Sequence, residues 1–194
     1  MSNLYTVDWS ELPAPLDDGA AALLVETRLP SIALPATSGL HIDLSALSGW
    51  TVVYIYPMTG RPDRELPTGW DEVPGARGCT PQSCAFRDHY RELSAAGADH
   101  VFGLSTQDLN DQAEAVARLH LPYPLLSDHR LVFADAVRMP RFQVGGDTYL
   151  KRMTLIIFNG VVKHVFYPVF PPDENPVRVV GWLRQNSLPR ACGK

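Results

Sequence analysis

Apolar positions come in short dense runs separated by polar, proline-bearing stretches. Thr51-Val-Val-Tyr-Ile-Tyr56 is an uninterrupted apolar, β-branched and aromatic run, which predicts a central strand covered on both faces and ended by Pro57. Next comes a helix over residues 80–96, with Thr80 as N-cap, Pro81 at the first helical position and Gly97 just past the end. Phe86, Tyr90 and Leu93 form its apolar stripe. Residues 101–105 predict a second short strand, 108–120 a second helix from an acidic cap, and Leu125-Leu126 a buried segment. Two further strands, 153–158 and 161–166, are joined by Asn159-Gly160, a strong hairpin signal. A helix over 175–185 closes the chain. The order β-α-β-α, hairpin, helix predicts an α/β fold with a mixed central sheet and helices on both faces.

Composition bounds the function. A length of 194 residues with 45% hydrophobic and 20% charged positions fits one ordered domain. A net charge of −4 gives none of the positive field that phosphate backbones need, so nucleic acid is not an expected partner. No segment has the length and apolarity of a signal peptide core or a membrane span, so the expectation is a soluble cytoplasmic protein, monomer or dimer, with no membrane partner. The 17 prolines punctuate the chain without forming a linker. The expected layout is an N-terminal extension over 1–28, a domain over 29–186 carrying an irregular insertion at 58–78, and a tail over 187–194. The six histidines fall on different elements without ligand spacing, so no metal site is expected. Three cysteines are few for a disulfide scaffold and enough for redox chemistry.

That chemistry is placed at the start of the first long helix. Cys79 stands where backbone N–H groups have no intrahelical partner and the helix dipole is positive, which favours a thiolate. Arg77 is positioned to add a cation, and Gly78 to keep the approach to sulfur open. Cys84 follows five residues later on the same helix, unlike the two-residue spacer of a thioredoxin or zinc ribbon. Cys192, in the polar tail, reads as a surface thiol without a role, and Arg87-Asp88 as either an exposed pair or a bridge supporting the site.

The stretch Gly78-Cys-Thr-Pro-Gln-Ser-Cys-Ala-Phe-Arg-Asp88, after Tyr54-Ile-Tyr-Pro57, resembles the peroxiredoxins of the bacterioferritin comigratory protein or peroxiredoxin Q type. The resemblance continues through Val101-Phe-Gly-Leu-Ser105, Leu125-Leu-Ser-Asp128 and Lys151-Arg152-Met-Thr-Leu-Ile-Ile157, spanning roughly residues 29–183. It implies a thioredoxin-like fold. It further implies that Cys79 is peroxidatic toward hydrogen peroxide or organic hydroperoxides and that Cys84 is resolving, through an intramolecular disulfide. Arg152 then stabilises the thiolate and the transition state, Arg77, Gly78 and Thr80 line the peroxide site, and a thioredoxin-like protein is the reductant. No metal, haem or flavin is required. The chain departs from the family at Ala76, where a threonine or serine hydroxyl is usual, leaving Thr59, Thr68 and Thr80 as replacement donors; it departs again in the insertion.

Residues five apart in an α-helix have Cα atoms about 8.6 Å apart, whereas a disulfide allows about 7 Å. Closure between Cys79 and Cys84 is therefore expected to unwind the first turns of the helix, which look inexpensive to open because their N–H groups have no partners to lose. Two other readings use the same residues. A protein-disulfide oxidoreductase of this fold would work with Cys79 and Cys84, and a non-catalytic partner-binding module would use the insertion, with Leu66 and Trp70 exposed for contact.

Overall fold

The computed structural model describes residues 8–186. Strand β1 (Ala33–Pro35) pairs with β2 (His41–Asp43), and β3 (Trp50–Ile55) follows. Two consecutive helices, α1 (Cys79–Asp88) and α2 (Tyr90–Ala95), lead to β4 (Ala98–Ser105), α3 (Leu109–Leu119), β5 (Leu125–Ser127) and α4 (Val132–Ala136). The hairpins β6 (Arg141–Val144)–β7 (Asp147–Leu150) and β8 (Met153–Phe158)–β9 (Val161–Phe166) precede α5 (Asn175–Asn186). The central sheet has the order β5-β4-β3-β8-β9. Strand β3 runs parallel to β4 and antiparallel to β8, so the sheet is mixed as expected.

β3 distributes its side chains by the period of two that a strand imposes. Val52 and Tyr54 enter a core with Phe86, Leu93, Ala115, Leu119, Val179 and Leu183, the buried positions of α1, α2, α3 and α5. Val53 and Ile55 enter a second core on the opposite face with Leu24, Leu29, Leu34, Leu44, Phe133 and Ala134, supplied by the N-terminal segment and α4. Both faces are covered, which is why the run from Thr51 to Tyr56 lacks polar alternation.

Several elements differ from expectation. The helix over 80–96 is two helices, divided at His89 (φ −94°, ψ 8°), whose ring Nδ1 lies 2.9 Å from the Ala85 carbonyl. Its N-cap is Gly78 in place of Thr80, so Cys79 is the first helical residue and Pro81 lies two residues further along the first turn. The hairpin β6–β7 was not expected; it turns through Gly145-Gly146, both at positive φ. It gives the insertion something to pack on. Trp70, expected exposed, is 3% accessible and stands edge-on to Tyr149 at 4.9 Å, with Ala76 and Val144 completing a small third core. Leu66 remains partly exposed. A recognition loop presenting Trp70 is thereby excluded. Cys192 lies outside the described residues.

Candidate active site

The thiol of Cys79 is fixed by three elements. Gly78, at φ 101°, starts α1 in a conformation that disfavours any side chain. A Cβ there would also lie 2.4 Å from Pro172 and 3.0 Å from the Trp9 ring. Glycine thus serves the turn and the close packing above it, not only access to sulfur. Cys79 itself is 3% accessible.

Two donors converge on its sulfur, the Met58 backbone N–H at 3.4 Å and Arg152 Nη2 at 3.2 Å, while the Ala76 carbonyl lies 3.5 Å away. Arg152 stands between β7 and β8 and is 4% accessible. Its Nη2 also faces the carbonyls of Gly75, Ala76 and Arg77 at 3.2, 3.3 and 2.9 Å, and its Nη1 donates to Gln82 Oε1. Among the described residues no carboxylate pairs with it. A buried guanidinium with only neutral acceptors and one sulfur around it leaves that sulfur as the position where a counter-charge is most favoured.

Behind Arg152 the polar chain continues. Gln82 Nε2 donates to Asn175 Oδ1 at 3.2 Å, and the same oxygen accepts from Thr154 Oγ1 at 2.6 Å. All three side chains are fully buried or nearly so, and they tie the first turn of α1 to β8 and to the start of α5. Ser83 adds to this: its hydroxyl accepts from Tyr54 OH at 3.1 Å and its carbonyl accepts from Tyr123 OH at 2.9 Å. Phe86 stacks on Tyr54 at 4.4 Å. The first turns of α1 are therefore costlier to open than helix-end reasoning suggested, since opening them breaks tertiary contacts as well.

The remaining candidates separate cleanly. Arg77 does not reach the thiol with its side chain; its guanidinium is turned to Asp71, with Nε 2.6 Å from Oδ1. That pairing holds the Asp71 carboxyl below its ordinary range and raises Arg77, burial opposing both. Only the Arg77 carbonyl belongs to the Arg152 cage. Thr59 is buried and committed to Gln107, and Thr68 is exposed away from the cleft. Thr80 lines the cleft beside Cys79. Cys84 is half-buried on the same cleft, and both thiols are free. Burial pushes the Cys84 thiol up, with Arg87 pulling it down less strongly. Arg87 pairs with Asp88 at 2.8 Å and also donates to the Leu119 carbonyl at 2.8 Å, joining α1 to the end of α3.

Sequence reasoning missed Met58, Gln82, Thr154 and Asn175. Gln82 stood inside the motif that carried the resemblance; the others are separated from Cys79 by 21 to 96 residues and are brought to it only by the fold.

The comparisons with known proteins agree with this geometry. A Redoxin family model matches residues 24–180. The chloroplastic peroxiredoxin Q of Oryza sativa subsp. japonica is 33% identical over 148 residues, 75% of this chain and 60% of that protein. The one from Sedum lineare is 32% identical over the same length, 70% of its chain. The chain thus spans about three fifths of the length of the rice relative. Among solved structures, peroxidoxin BcpB from Mycobacterium tuberculosis superposes with a TM-score of 0.68 at 25% identity, covering 84% of this chain and 98% of that one. Xanthomonas campestris peroxiredoxin Q shares the fold, with a TM-score of 0.62 at 22% identity, covering 91% and 97%. A buried cysteine opening a helix, an arginine just before β8 facing its sulfur and a Redoxin match over most of the length converge: the chain belongs to the redoxin family, among its peroxiredoxins of the Q or bacterioferritin comigratory type.

Proposed function

We propose that the protein is a thiol-dependent peroxidase that reduces hydrogen peroxide and organic hydroperoxides at Cys79, resolves through Cys84 and is recycled by a thioredoxin-like protein. The observation that carries this reading is the contact between Cys79 Sγ and a buried, carboxylate-free Arg152 at 3.2 Å.

The Cys79 thiolate attacks the distal peroxide oxygen. The O–O bond breaks, and the alkoxide or hydroxide leaves and takes a proton, giving a sulfenic acid and an alcohol or water. Arg152 Nη2 and the Met58 N–H are already in place for the charge that moves from sulfur to oxygen, so little reorganisation accompanies the step. Cys84 then attacks the sulfenic sulfur, an S–S bond forms and water leaves. The external dithiol reduces that disulfide by exchange. Closure requires α1 to open at Gln82, Ser83 and Phe86, because both cysteines lie on one regular helix. The low accessibility of Cys79 favours a small peroxide over a folded protein as oxidant, which separates this reading from a protein-disulfide oxidoreductase.

The test is direct. Purified protein with dithiothreitol should consume hydrogen peroxide and cumene hydroperoxide, and one equivalent of peroxide should add one oxygen at Cys79 by mass spectrometry when closure is blocked, as in Cys84→Ser. Failure to consume either peroxide refutes the reading. Cys84→Ser should leave that first oxidation at its normal rate but cut cycling with a thioredoxin-like reductant by about tenfold or more, because the exchangeable disulfide no longer forms. Dimedone labelling at Cys79 should persist in the variant.

The closure step should depend on pH in a definite direction. Burial raises the Cys84 thiol, so at neutral pH it is mostly protonated and the attacking thiolate is scarce. Below its raised pKa, each unit increase in pH should speed closure by about tenfold in thiolate fraction. Stopped-flow fluorescence after one equivalent of peroxide, from pH 6 to 8, reads this slope; a flat profile means that helix opening alone limits closure.

A further inference from the structure

The cleft beside Cys79 is open to solvent and has a volume of about 1110 Å³, far more than hydrogen peroxide occupies. One wall is built by residues distant in sequence from the thiol. Trp9 lies over Gly78, where its ring would stand 3.0 Å from a Cβ. Its indole Nε1 donates to Asp173 Oδ2 at 3.1 Å, and its ring meets Phe170 edge-on at 6.0 Å. Both partners sit in the loop before α5. The segment that carries Trp9 is itself anchored to the insertion, since the Gly75 N–H donates to the Pro13 carbonyl at 3.3 Å and Pro15 packs on Gly75. The ring is therefore held in one orientation next to the helix end that bears the nucleophile, and Leu12, Met58 and Leu66 also line the cleft, among charged residues that include Arg77, Arg87 and Asp173.

We propose that Trp9 is a specificity-determining residue for this site, giving the cleft a fixed aromatic wall that binds the apolar body of a bulky organic hydroperoxide while its peroxide group reaches Cys79. This rests on the peroxidase reading above. An indole anchored by a hydrogen bond and an edge contact loses little freedom on binding, so apolar contact with it converts efficiently into affinity. Hydrogen peroxide has no apolar body and gains nothing from the ring. The selectivity therefore belongs to KM for the bulky substrate and not to the chemical step.

Trp9→Ala should raise KM for cumene hydroperoxide by about tenfold, equivalent to about 1.4 kcal/mol, with kcat nearly unchanged. Its kcat/KM for hydrogen peroxide should stay within twofold of wild type. Trp9→Phe, which keeps an apolar ring, should recover most of the lost affinity. Asp173→Ala, which frees the indole without removing it, should shift KM for cumene hydroperoxide by about threefold in the same direction. The two conservative variants decide the matter if Trp9→Ala does not fold. Equal losses for both peroxides would show that Trp9 only supports the start of α1 and would overturn the proposal. Unchanged constants in every variant would overturn it too, leaving the peroxidase reading intact. A wild-type protein inert toward both peroxides would overturn that reading and this one together.

Discussion

Cys79→Ser is expected to abolish peroxide turnover, lowering kcat/KM by at least about a thousandfold while the fold survives. The two side chains are close in size, and the serine hydroxyl can still donate toward the Ala76 carbonyl that the thiol faces at 3.5 Å. A nearly isosteric change in a buried, hydrogen-bonded position should shift stability by no more than about 1 kcal/mol. The chemistry does not survive. A serine hydroxyl is not ionised near neutral pH, and its oxygen cannot accept a second oxygen to form the equivalent of a sulfenic acid. Peroxide consumption with dithiothreitol reads the activity, and thermal unfolding confirms the fold. Substantial turnover in the variant would move the nucleophile elsewhere, Cys84 first, as the other described thiol on the cleft.

Parts of this arrangement were legible because local physics alone determines them. The run Thr51 to Tyr56 could only be a doubly covered strand. Asn159-Gly160 adopts the positive φ pair, 49° and 75°, that a two-residue hairpin demands. Asp108 caps α3 by accepting from the Asp111 N–H. The start of α1 differs from expectation by two residues because Thr80 and Gly78 are both credible caps; the helix begins at the left-handed Gly78, and the Pro172 and Trp9 that crowd it come from 94 and 69 positions away. Trp70 looked exposed because its neighbours in sequence are Asp, Glu and Gly, whereas its neighbours in space are Tyr149 and Phe142 from the hairpin that the pattern did not reveal.

The site shows the same division. A resemblance could point to Cys79 and Arg152 together, 73 positions apart. It could not say that Arg77 is already engaged by Asp71, since either cation is an equally good partner for a thiolate on paper. Nor could it find the chain from Arg152 through Gln82 and Asn175 to Thr154, because a buried amide pair has no pattern along the sequence. That chain matters for the cycle. It fixes the guanidinium beside the Cys79 thiol and ties down the first turns of α1, so in the proposed cycle one set of contacts would favour peroxide attack and slow closure onto Cys84.

Arg152→Met separates these roles. Its expected result is a fall in kcat/KM toward both peroxides of about a hundred to a thousandfold, the usual cost of removing a preorganised charged donor. Methionine keeps most of the volume and removes a buried cation that has no carboxylate partner among the described residues, a change that by itself is often neutral or stabilising. Against this, Gln82 Oε1 and the carbonyls of Gly75, Ala76 and Arg77 each lose a donor. Unsatisfied buried acceptors cost about 1–3 kcal/mol each at worst, but carbonyls tolerate the loss better than donors do. The two effects oppose each other, so stability should move by no more than about 2 kcal/mol, far too little to explain the lost activity. Arg152→Lys tests geometry apart from charge. One ammonium cannot face the Cys79 sulfur, three carbonyls and Gln82 together, so lysine should recover no more than about tenfold of the loss. Iodoacetamide labelling of reduced Cys79, slower in Arg152→Met than in wild type at pH 7, would show that the cation acts on the sulfur itself. A rate within threefold of wild type would instead mean that Arg152 only braces the backbone from Gly75 to Arg77, and that the Met58 N–H and the helix end suffice to hold the thiolate.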